Sequence, residues 1–384
     1  MIDLLIVNGT VIDGSGNPGY KAAIAVEGDT IRVLRGEVSH VQAGRRIDAT
    51  GYVVAPGFID MHSHSSLMVL ANPTHAPKVR QGVTTEVIGV DGHSYAPFPR
   101  REDLLAFVEM NSGLEGSPAI SYDWSTVTNY LARYDRKVAV NIALLVGNSA
   151  LRISVLGWDD VPASPEAMSQ MRSLLREAME EGAFGLSTGL DYPPGVYATT
   201  EELSELAAEA ARWGGIYHTH VRYTLGDRFL DPHREALEIG RRSGAPVHIT
   251  HLFRRATMPG GARQLLDLLD AARAQGLDLT FDAFPDEYGG SRVMILLPLW
   301  AQAGGPARLK ACLMDREMRP KLREYLAQRV RNYRDYNPWA VFRVGNFARA
   351  ENLRFEGMTL AEIANERGGD PADVLCLSLI HISE

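Results

Sequence analysis

The spacing of apolar and polar positions changes near residue 55. Before that point, short β-branched runs are separated by the turn pairs Asn8-Gly9, Asp13-Gly14 and Gly28-Asp29. Short alternating runs joined by such turns are typical of hairpins. We therefore predict that residues 1–55 form a small antiparallel sheet or half-sandwich, the β-sandwich part of the fold.

After residue 55, apolar strands alternate with helical patterns, which indicates a parallel α/β sheet. The seven strand segments are YVVAPGFIDMHSH, VTTEVIGVDGHS, KVAVNIALLVGNS, GAFGLSTGLDY, GIYHTHVR, APVHITHLF and LDLTFDAFPDE. Seven β/α units in succession over residues 56–287 predict a (β/α)8 TIM-type barrel, whose chemistry lies at the carboxyl ends of the strands. A doubly wound open sheet is the alternative, but the chain has no glycine-rich dinucleotide-binding motif.

The helical segments between these strands have regular start and stop signals. Ser164-Pro165 begins one of them as cap and first-turn residues, and Gly182 ends it. Its apolar positions recur at helical spacing and predict one buried face. They are Met168, Met171, Leu175 and Met179.

The alternation stops after Glu287. Residues 288–350 combine a charged helical stretch with an aromatic-rich segment, which predicts an insertion or lid beside the active-site face. Residues 351–376 continue toward strand 8, which we expect to be missing from this chain. Residues 377–384 match the translated end of a transposase sequencing adapter, so we predict a non-native tail and do not take His381 as a ligand. An open barrel of this kind should be poorly soluble and inactive.

Composition and charge argue against several classes of protein. A net charge of −8 and a pI near 5.8 disfavour nucleic-acid and anionic-membrane partners, because both require a basic face. The two cysteines, Cys312 and Cys376, imply no disulfide framework. The N-terminus lacks the basic region of a signal peptide, and no apolar run approaches the length of a membrane span. We expect a cytoplasmic protein.

Metal-ligand residue types end several predicted strands. His62 and His64 end strand 1, and side chains two positions apart on a strand point the same way, so the two imidazoles should project together. Strands 2, 5 and 6 end in further residues of this kind. They are Asp91, His93, His218, His220 and His251. Because strand ends of a barrel share one rim, we predict a metal site there.

The residues of this set are not equally good candidates for metal ligands. His218 lies one pleat deeper than its neighbour His220, which favours a supporting or packing role. His248 points to the other face and should be a core histidine. His93 could belong to the loop surface or to the substrate pocket. Asp91 could be only the turn residue before Gly92, but its alignment on the rim favours a ligand.

Five segments of the chain occur in an informative order. They are PGFIDMHSH, GVTTEVIGVDGHSYAP, GAFGLSTGLDYPPGVYATTEEL, YHTHVR and ITHL. Together they resemble the N-acyl-D-amino-acid deacylase (D-aminoacylase) family of the amidohydrolase superfamily, over nearly the whole chain. The resemblance implies a metal-dependent (β/α)8 barrel beside a small β-sandwich built by both chain ends, with an insertion before strand 8.

The resemblance also implies a ligand set. His62 and His64 match the family's strand-1 pair, and His220 and His251 match its tight zinc ligands. Much of the family has a cysteine ligand where this chain has Asp91. A carboxylate makes a harder site that can bridge two ions, so we expect one or two zinc ions, with manganese or cobalt as alternatives. Many two-metal amidohydrolases use a carboxylated lysine on strand 4, but no lysine occurs between residues 137 and 310 here, and Asp91 fits the bridging role.

On the substrate side, Tyr192 and Ser291 match family positions that contact the α-carboxylate. The lysine that usually follows the strand-6 histidine by two residues is replaced by Phe253, which precedes Arg254 and Arg255. This replacement leaves the acyl and side-chain preference open.

The activity implied is metal-dependent hydrolysis of N-acyl-D-amino acids to a carboxylate and a free D-amino acid. The expected partner is the small-molecule substrate, and the oligomeric state stays open. The proton-transferring aspartate of the family ends strand 8, so no catalytic residue is assigned within this chain. One alternative is a related amidohydrolase acting on another amide, a carbamoyl group or a cyclic imide. The other is a truncated barrel that only binds ligand.

Overall fold

The computed structural model describes residues 1–223, 228–253, 262–284, 289–331, 337–345, 347 and 349–380. Arg254, Arg255 and His381 lie outside these ranges. The chain divides into two compact units: Met1–Ile59 with Arg80–Thr84, and the remainder of the chain. Within the described ranges, no helix has the length and apolar character needed to cross a membrane.

The first unit contains two small sheets, of order β5-β4-β1-β6 and β3-β2-β7. Their strands are β1 Ile2–Val7, β2 Thr10–Val11, β3 Tyr20–Lys21, β4 Ala23–Glu27, β5 Thr30–Leu34, β6 Ala43–Asp48 and β7 Val53–Val54. The expectation of antiparallel pairing is only partly right. The hairpin-connected pairs β4/β5 and β2/β3 are antiparallel. In contrast, β6 and β7 return from farther along the chain and pair parallel to β1 and β2.

The strands that carry the predicted site form two sheets, of order β10-β9-β8 and β11-β12-β13-β14-β15. They are β8 Phe58–Asp60, β9 Val83–Ile88, β10 Asn141–Leu144, β11 Val146–Gly147, β12 Gly185–Gly189, β13 Ile216–His220, β14 Val247–Ile249 and β15 Leu279–Phe281. The pairs β9/β10 and β11 through β15 are parallel, as predicted.

The third predicted strand, residues 137–149, is divided in the structure. It breaks at Leu145 into β10, which pairs with β9, and β11, which pairs with β12. Leu145 itself donates its backbone N–H to Ile88. The segment therefore changes partner part-way along its length, as staggered strands do when a sheet curves.

Helices follow most of these strands. They are α1 Ser66–Ala71, α2 Ala76–Val79, α3 Arg101–Glu115, α4 Val127–Leu131, α5 Asn148–Leu156, α6 Pro165–Glu180, α7 Thr200–Ala211, α8 Asp231–Ser243 and α9 Ala262–Ala274. The predicted start of α6 is confirmed, because the Ser164 hydroxyl accepts the Ala167 N–H at 3.2 Å. Its predicted apolar face is also buried. These helices and the parallel strands share one large core.

The region after residue 290 is helical and has a second apolar core. Its helices are α10 Leu299–Gln302, α11 Gly305–Met314, α12 Met318–Arg331, α13 Pro338–Val341, α14 Leu360–Arg367 and α15 Pro371–Ile380. The charged stretch predicted as one helical segment is two helices. The Asp315 carboxylate accepts the backbone N–H of Glu317 at 2.8 Å, which favours a turn between them.

Candidate metal centre

One carboxylate oxygen lies at the centre of the predicted site. The Oδ2 atom of Asp91 is 3.4 Å from Nδ1 of His220 and 3.6 Å from Nε2 of His251. The same oxygen is 3.5 Å from Nε2 of His62 and 3.6 Å from Nε2 of His64. All five predicted ligands therefore converge, and they form two histidine pairs on either side of one oxygen.

The spacing within each pair suits a shared ion. The Nε2 atoms of His62 and His64 are 3.2 Å apart, and Nδ1 of His220 is 2.9 Å from Nε2 of His251. Ligand distances of 2.0–2.1 Å in a tetrahedral zinc site place ligand atoms about 3.3 Å apart. The donor set and its spacing thus fit one ion at each pair, with Asp91 common to both.

The backbone brings Asp91 to this point through an unusual conformation. Asp91 follows β9 and has a φ of 54°, in the left-handed region that few non-glycine residues adopt. His251, after β14, has a φ of 34°. Gly189 makes room for the turn, because a Cβ atom there would lie 2.0 Å from the Asp91 carbonyl oxygen. Such backbone outliers are concentrated at functional sites.

Three further acidic residues surround the histidines and were not predicted. Asp282, after β15, lies 3.4 Å from Nδ1 of His62 and accepts the backbone N–H of His251. Asp191 is 3.2 Å from Nε2 of His220, and Glu115 at the end of α3 is 3.0 Å from Nδ1 of His64. Contacts of this type fix the ring orientation of metal-binding histidines.

Three further histidines from the predicted strand ends, His218, His248 and His93, are buried beside the ligand set. His218 is fully buried, and its Nε2 contacts the Met61 carbonyl at 3.0 Å. His248 contacts Thr280 at 2.7 Å and Asp282 at 3.0 Å. His93 is 1% exposed, so the loop-surface alternative for this residue is wrong. The turn carries His93 inward, where its Nδ1 lies 3.1 Å from Glu115.

The predicted substrate residues lie next to the histidines. The buried Tyr192 ring is 4.8 Å from the His220 ring and 5.2 Å from the His93 ring, centroid to centroid. Burial raises the pKa of Tyr192 well above its usual value, so the phenol remains a neutral donor. Ser291 is exposed and lines a cavity that also reaches His64. Phe253 stacks on Tyr223 at 4.9 Å and brings no charge to the site.

Known proteins are similar to this chain in sequence and in fold. The amidohydrolase family profile matches residues 45–220. The D-aminoacylase of Alcaligenes xylosoxydans xylosoxydans is 40% identical over 291 residues, which is 74% of this chain and 57% of that enzyme. A solved structure of D-aminoacylase is 30% identical with a TM-score of 0.75, over 98% of this chain and 69% of that one. This chain belongs to the D-aminoacylase family of amidohydrolases.

A second relative in this family is the N-acyl-D-glutamate deacylase of Bordetella bronchiseptica, solved with zinc and a phosphonate mimic of the tetrahedral intermediate. It has a TM-score of 0.77 and 28% identity, over 99% of this chain and 70% of that one. The predicted family is therefore confirmed. The chain spans 57% of the length of the curated D-aminoacylase that it matches.

Charge in the D-aminoacylase-type centre is balanced by the histidines when metal is absent. Burial alone would lower the pKa of His62, but the carboxylates of Asp91 and Asp282 raise it to about 10. Burial likewise opposes protonation of His220, yet Asp91 and Asp191 raise its pKa to about 9. Burial would raise the pKa of Asp91, but the surrounding histidines hold it well below its usual value. Burial opposes protonation of His64 too, but Asp91 and Glu115 raise its pKa. The Asp91 carboxylate is thus ready to bind a cation, whereas the protonated histidines must first lose a proton.

Metal binding at pH 7.5 should therefore release at least two protons, because histidine binds metal only in its neutral form. The apparent zinc affinity should increase with pH up to about 9–10, the pKa values of His220 and His62. In metal-free protein the same groups stabilise the fold fully below pH 6.5, and this contribution is lost as pH rises through 9–10. Calorimetry in buffers of different ionisation enthalpy measures the proton release. A value near zero would contradict the assignment of these histidines.

Proposed function

We propose that this chain forms the metal-binding part of an N-acyl-D-amino-acid deacylase. The observation that carries the proposal is the sharing of one Asp91 oxygen by two histidine pairs, at distances of 3.4–3.6 Å. Such a site holds one or two ions close together, an arrangement suited to hydrolysis of an amide. The relatives named above act on N-acyl-D-amino acids, and we extend that substrate class to this chain.

We infer zinc as the metal, with manganese or cobalt as substitutes. Imidazole nitrogens suit zinc, while the Asp91 carboxylate also tolerates harder ions. When bound, the metal lowers the pKa of a coordinated water and polarises the acyl carbonyl. One solved D-aminoacylase structure is described as having a binuclear centre, with activation by one metal and attenuation by the second. In this chain, one histidine pair with Asp91 would hold the activating metal, and the other pair with Asp91 would hold the attenuating one.

The chain's own residues would hold and orient the reactants. Asp282, Asp191 and Glu115 fix the rings of the metal-binding histidines, so the site is rigid before the substrate enters. Tyr192 and Ser291 would contact the α-carboxylate of the substrate. Burial of Tyr192 keeps its hydroxyl protonated, so it can donate a hydrogen bond to that anion.

The proposal extends to the architecture. Strands β8 to β15, with β10 and β11 counted as one divided strand, would be the first seven strands of a (β/α)8 barrel, in which Asp91, His220 and His251 lie at strand ends on one rim. Residues 288–350 would form an insertion that acts as a lid on that rim, and residues 1–55 would belong to a β-sandwich. The aspartate that transfers the proton would follow strand 8.

A substrate panel tests the activity. Zinc-loaded protein that carries the strand-8 aspartate should hydrolyse N-acetyl-D-amino acids at least 10-fold faster than the L enantiomers, and chelation should abolish the reaction. The panel should include hydantoins, and Asp91→Ala protein is the matched control for contaminating hydrolases. Hydrolysis of hydantoins without hydrolysis of N-acetyl-D-amino acids would replace the proposal with a cyclic amidohydrolase. Equal rates for D and L substrates would contradict the proposed preference for the D configuration.

A further inference from the structure

A buried guanidinium lies beside the metal centre and has no assigned role. Arg292 is 5% exposed and lines a cavity of about 730 Å³ that also reaches His64, Glu115 and Ser291. It precedes the short 3-10 helix Val293–Leu296. Sequence patterns did not mark Arg292, because it follows the last regular β/α unit.

The contacts of Arg292 hold the group in place without neutralising it. One Nη atom donates to the Asn111 amide oxygen, and the other lies 3.2 Å from Nε2 of His93. The guanidinium carbon is 4.2 Å from the centre of the Tyr192 ring. The Nε–H is buried and has no hydrogen-bond partner among the described residues. Within the part of the chain that the structure describes, Arg292 forms no ion pair.

The nearest acidic residues already have partners. Glu115 lies between His64 and His93, at 3.0 and 3.1 Å, and Asp91 is surrounded by the metal-binding histidines. A buried charge is costly when it lacks an opposite charge, so a guanidinium with a free N–H at a cavity wall is suited to an anionic ligand. Guanidinium groups bind carboxylates through paired, charge-assisted hydrogen bonds.

The position relative to the metal centre selects one anion. The Tyr192 ring contacts His220 at 4.8 Å and the Arg292 guanidinium at 4.2 Å, so it lies between the metal ligands and the free charge. In an N-acyl amino acid, the α-carboxylate is separated from the acyl carbonyl only by the amide nitrogen and the α-carbon. A carbonyl at the metal centre would therefore place the α-carboxylate near Tyr192 and within reach of Arg292.

We propose that Arg292 binds the α-carboxylate of the substrate and supplies the positive charge for that contact. This inference rests on the proposed function for its substrate class. It is also consistent with the surroundings of Phe253, which packs on Tyr223 and offers no cation. The residue acts as a binding and specificity determinant, and the metal centre is held by other side chains.

The test compares ligands that differ only at the α-carboxylate. Binding of N-acetyl-D-leucine and N-acetyl-D-leucinamide to zinc-loaded protein would be measured by calorimetry, or by kcat/KM where a ligand turns over. Arg292→Met should lower the affinity for the carboxylate ligand by about 10- to 100-fold and the affinity for the amide by less than about 3-fold. Arg292→Lys should fall between, because it keeps the charge but loses the paired geometry.

Two controls isolate the charge of Arg292 from its packing. Arg343 lines the same cavity, but its side chain is 61% exposed and lies 3.8 Å from Glu362, so Arg343→Met should leave both affinities unchanged. Zinc content should remain constant in all variants. If Arg292→Met fails to fold, Arg292→Lys still has to reduce the carboxylate-to-amide preference.

Several outcomes would overturn the inference. An equal decrease in affinity for both ligands would mean that Arg292 contributes only packing. Unchanged affinities would mean that Arg292 does not contact the ligand. N-acetyl-D-isoglutamine has a side-chain carboxylate and an α-amide. If Arg292→Met lowered the affinity for N-acetyl-D-isoglutamine alone, Arg292 would bind the side-chain carboxylate of the substrate instead. If discrimination depends on Arg292 but no ligand is hydrolysed, the proposed function fails while this assignment stands.

Discussion

Replacement of Asp91 by alanine should empty both halves of the metal centre at once. Its Oδ2 lies within 3.6 Å of all four predicted histidine ligands, so the variant removes the carboxylate that the two pairs share. We expect metal affinity to decrease by at least about 10-fold. In protein that carries the strand-8 aspartate, hydrolysis should decrease by about 10³-fold or more, because several kcal/mol of metal-derived stabilisation is lost. Elemental analysis after dialysis measures the first effect, and steady-state kinetics measures the second.

Asp91→Cys is the matched variant for this prediction. Cysteine is the ligand that much of the family has at this position, and a thiolate suits zinc well. Zinc content should therefore be retained in Asp91→Cys, with a shift in preference away from manganese. Asp91→Asn keeps the size of the side chain but loses its charge, and should behave more like alanine. Full zinc occupancy in Asp91→Ala would show that the carboxylate is only a turn residue.

The two histidine pairs should differ in metal affinity. We expect the His220→Ala, His251→Ala double variant to lose its zinc and its activity almost completely. The His62→Ala, His64→Ala variant should retain about one ion per chain. His220 and His251 are the more buried pair, and their facing nitrogens are only 2.9 Å apart. This pair therefore offers the less solvated and more compact binding site. A three-ligand set with Asp91 leaves a position open for water.

Titration of each double variant with zinc and a competing chelator would separate these cases. Retention of metal without His220 and His251, together with its loss without His62 and His64, would reverse the assignment. Loss from both variants would indicate a single ion shared by all four rings. His40→Ala is a suitable control, because His40 is exposed and belongs to none of the potential metal-ligand groups among the described residues.

The histidines could be found in the sequence because each follows an apolar strand, and parallel strand ends lie on one edge. Asp282 follows β15 in the same way, so the same rule would have identified it. Glu115 had no such signal, because it ends a helix with a mixed surface and meets His64 only through tertiary packing. Arg292 belongs to the irregular region after the last strand, where periodicity carries no information. The division of the third strand at Leu145 likewise had no signal in the sequence, because residues 142–146 are all apolar.

The left-handed backbone at Asp91 and His251 limits how this centre could change during evolution. In that conformation Asp, Asn and His are several-fold enriched, whereas β-branched and bulky residues are genuine outliers. A single nucleotide change at codon 91 that introduced valine would thus disturb the turn as well as remove the ligand. Laboratory libraries aimed at new metal specificity should therefore sample short side chains at both positions, and explore larger ones at His62 and His64, which are not among the residues with positive φ.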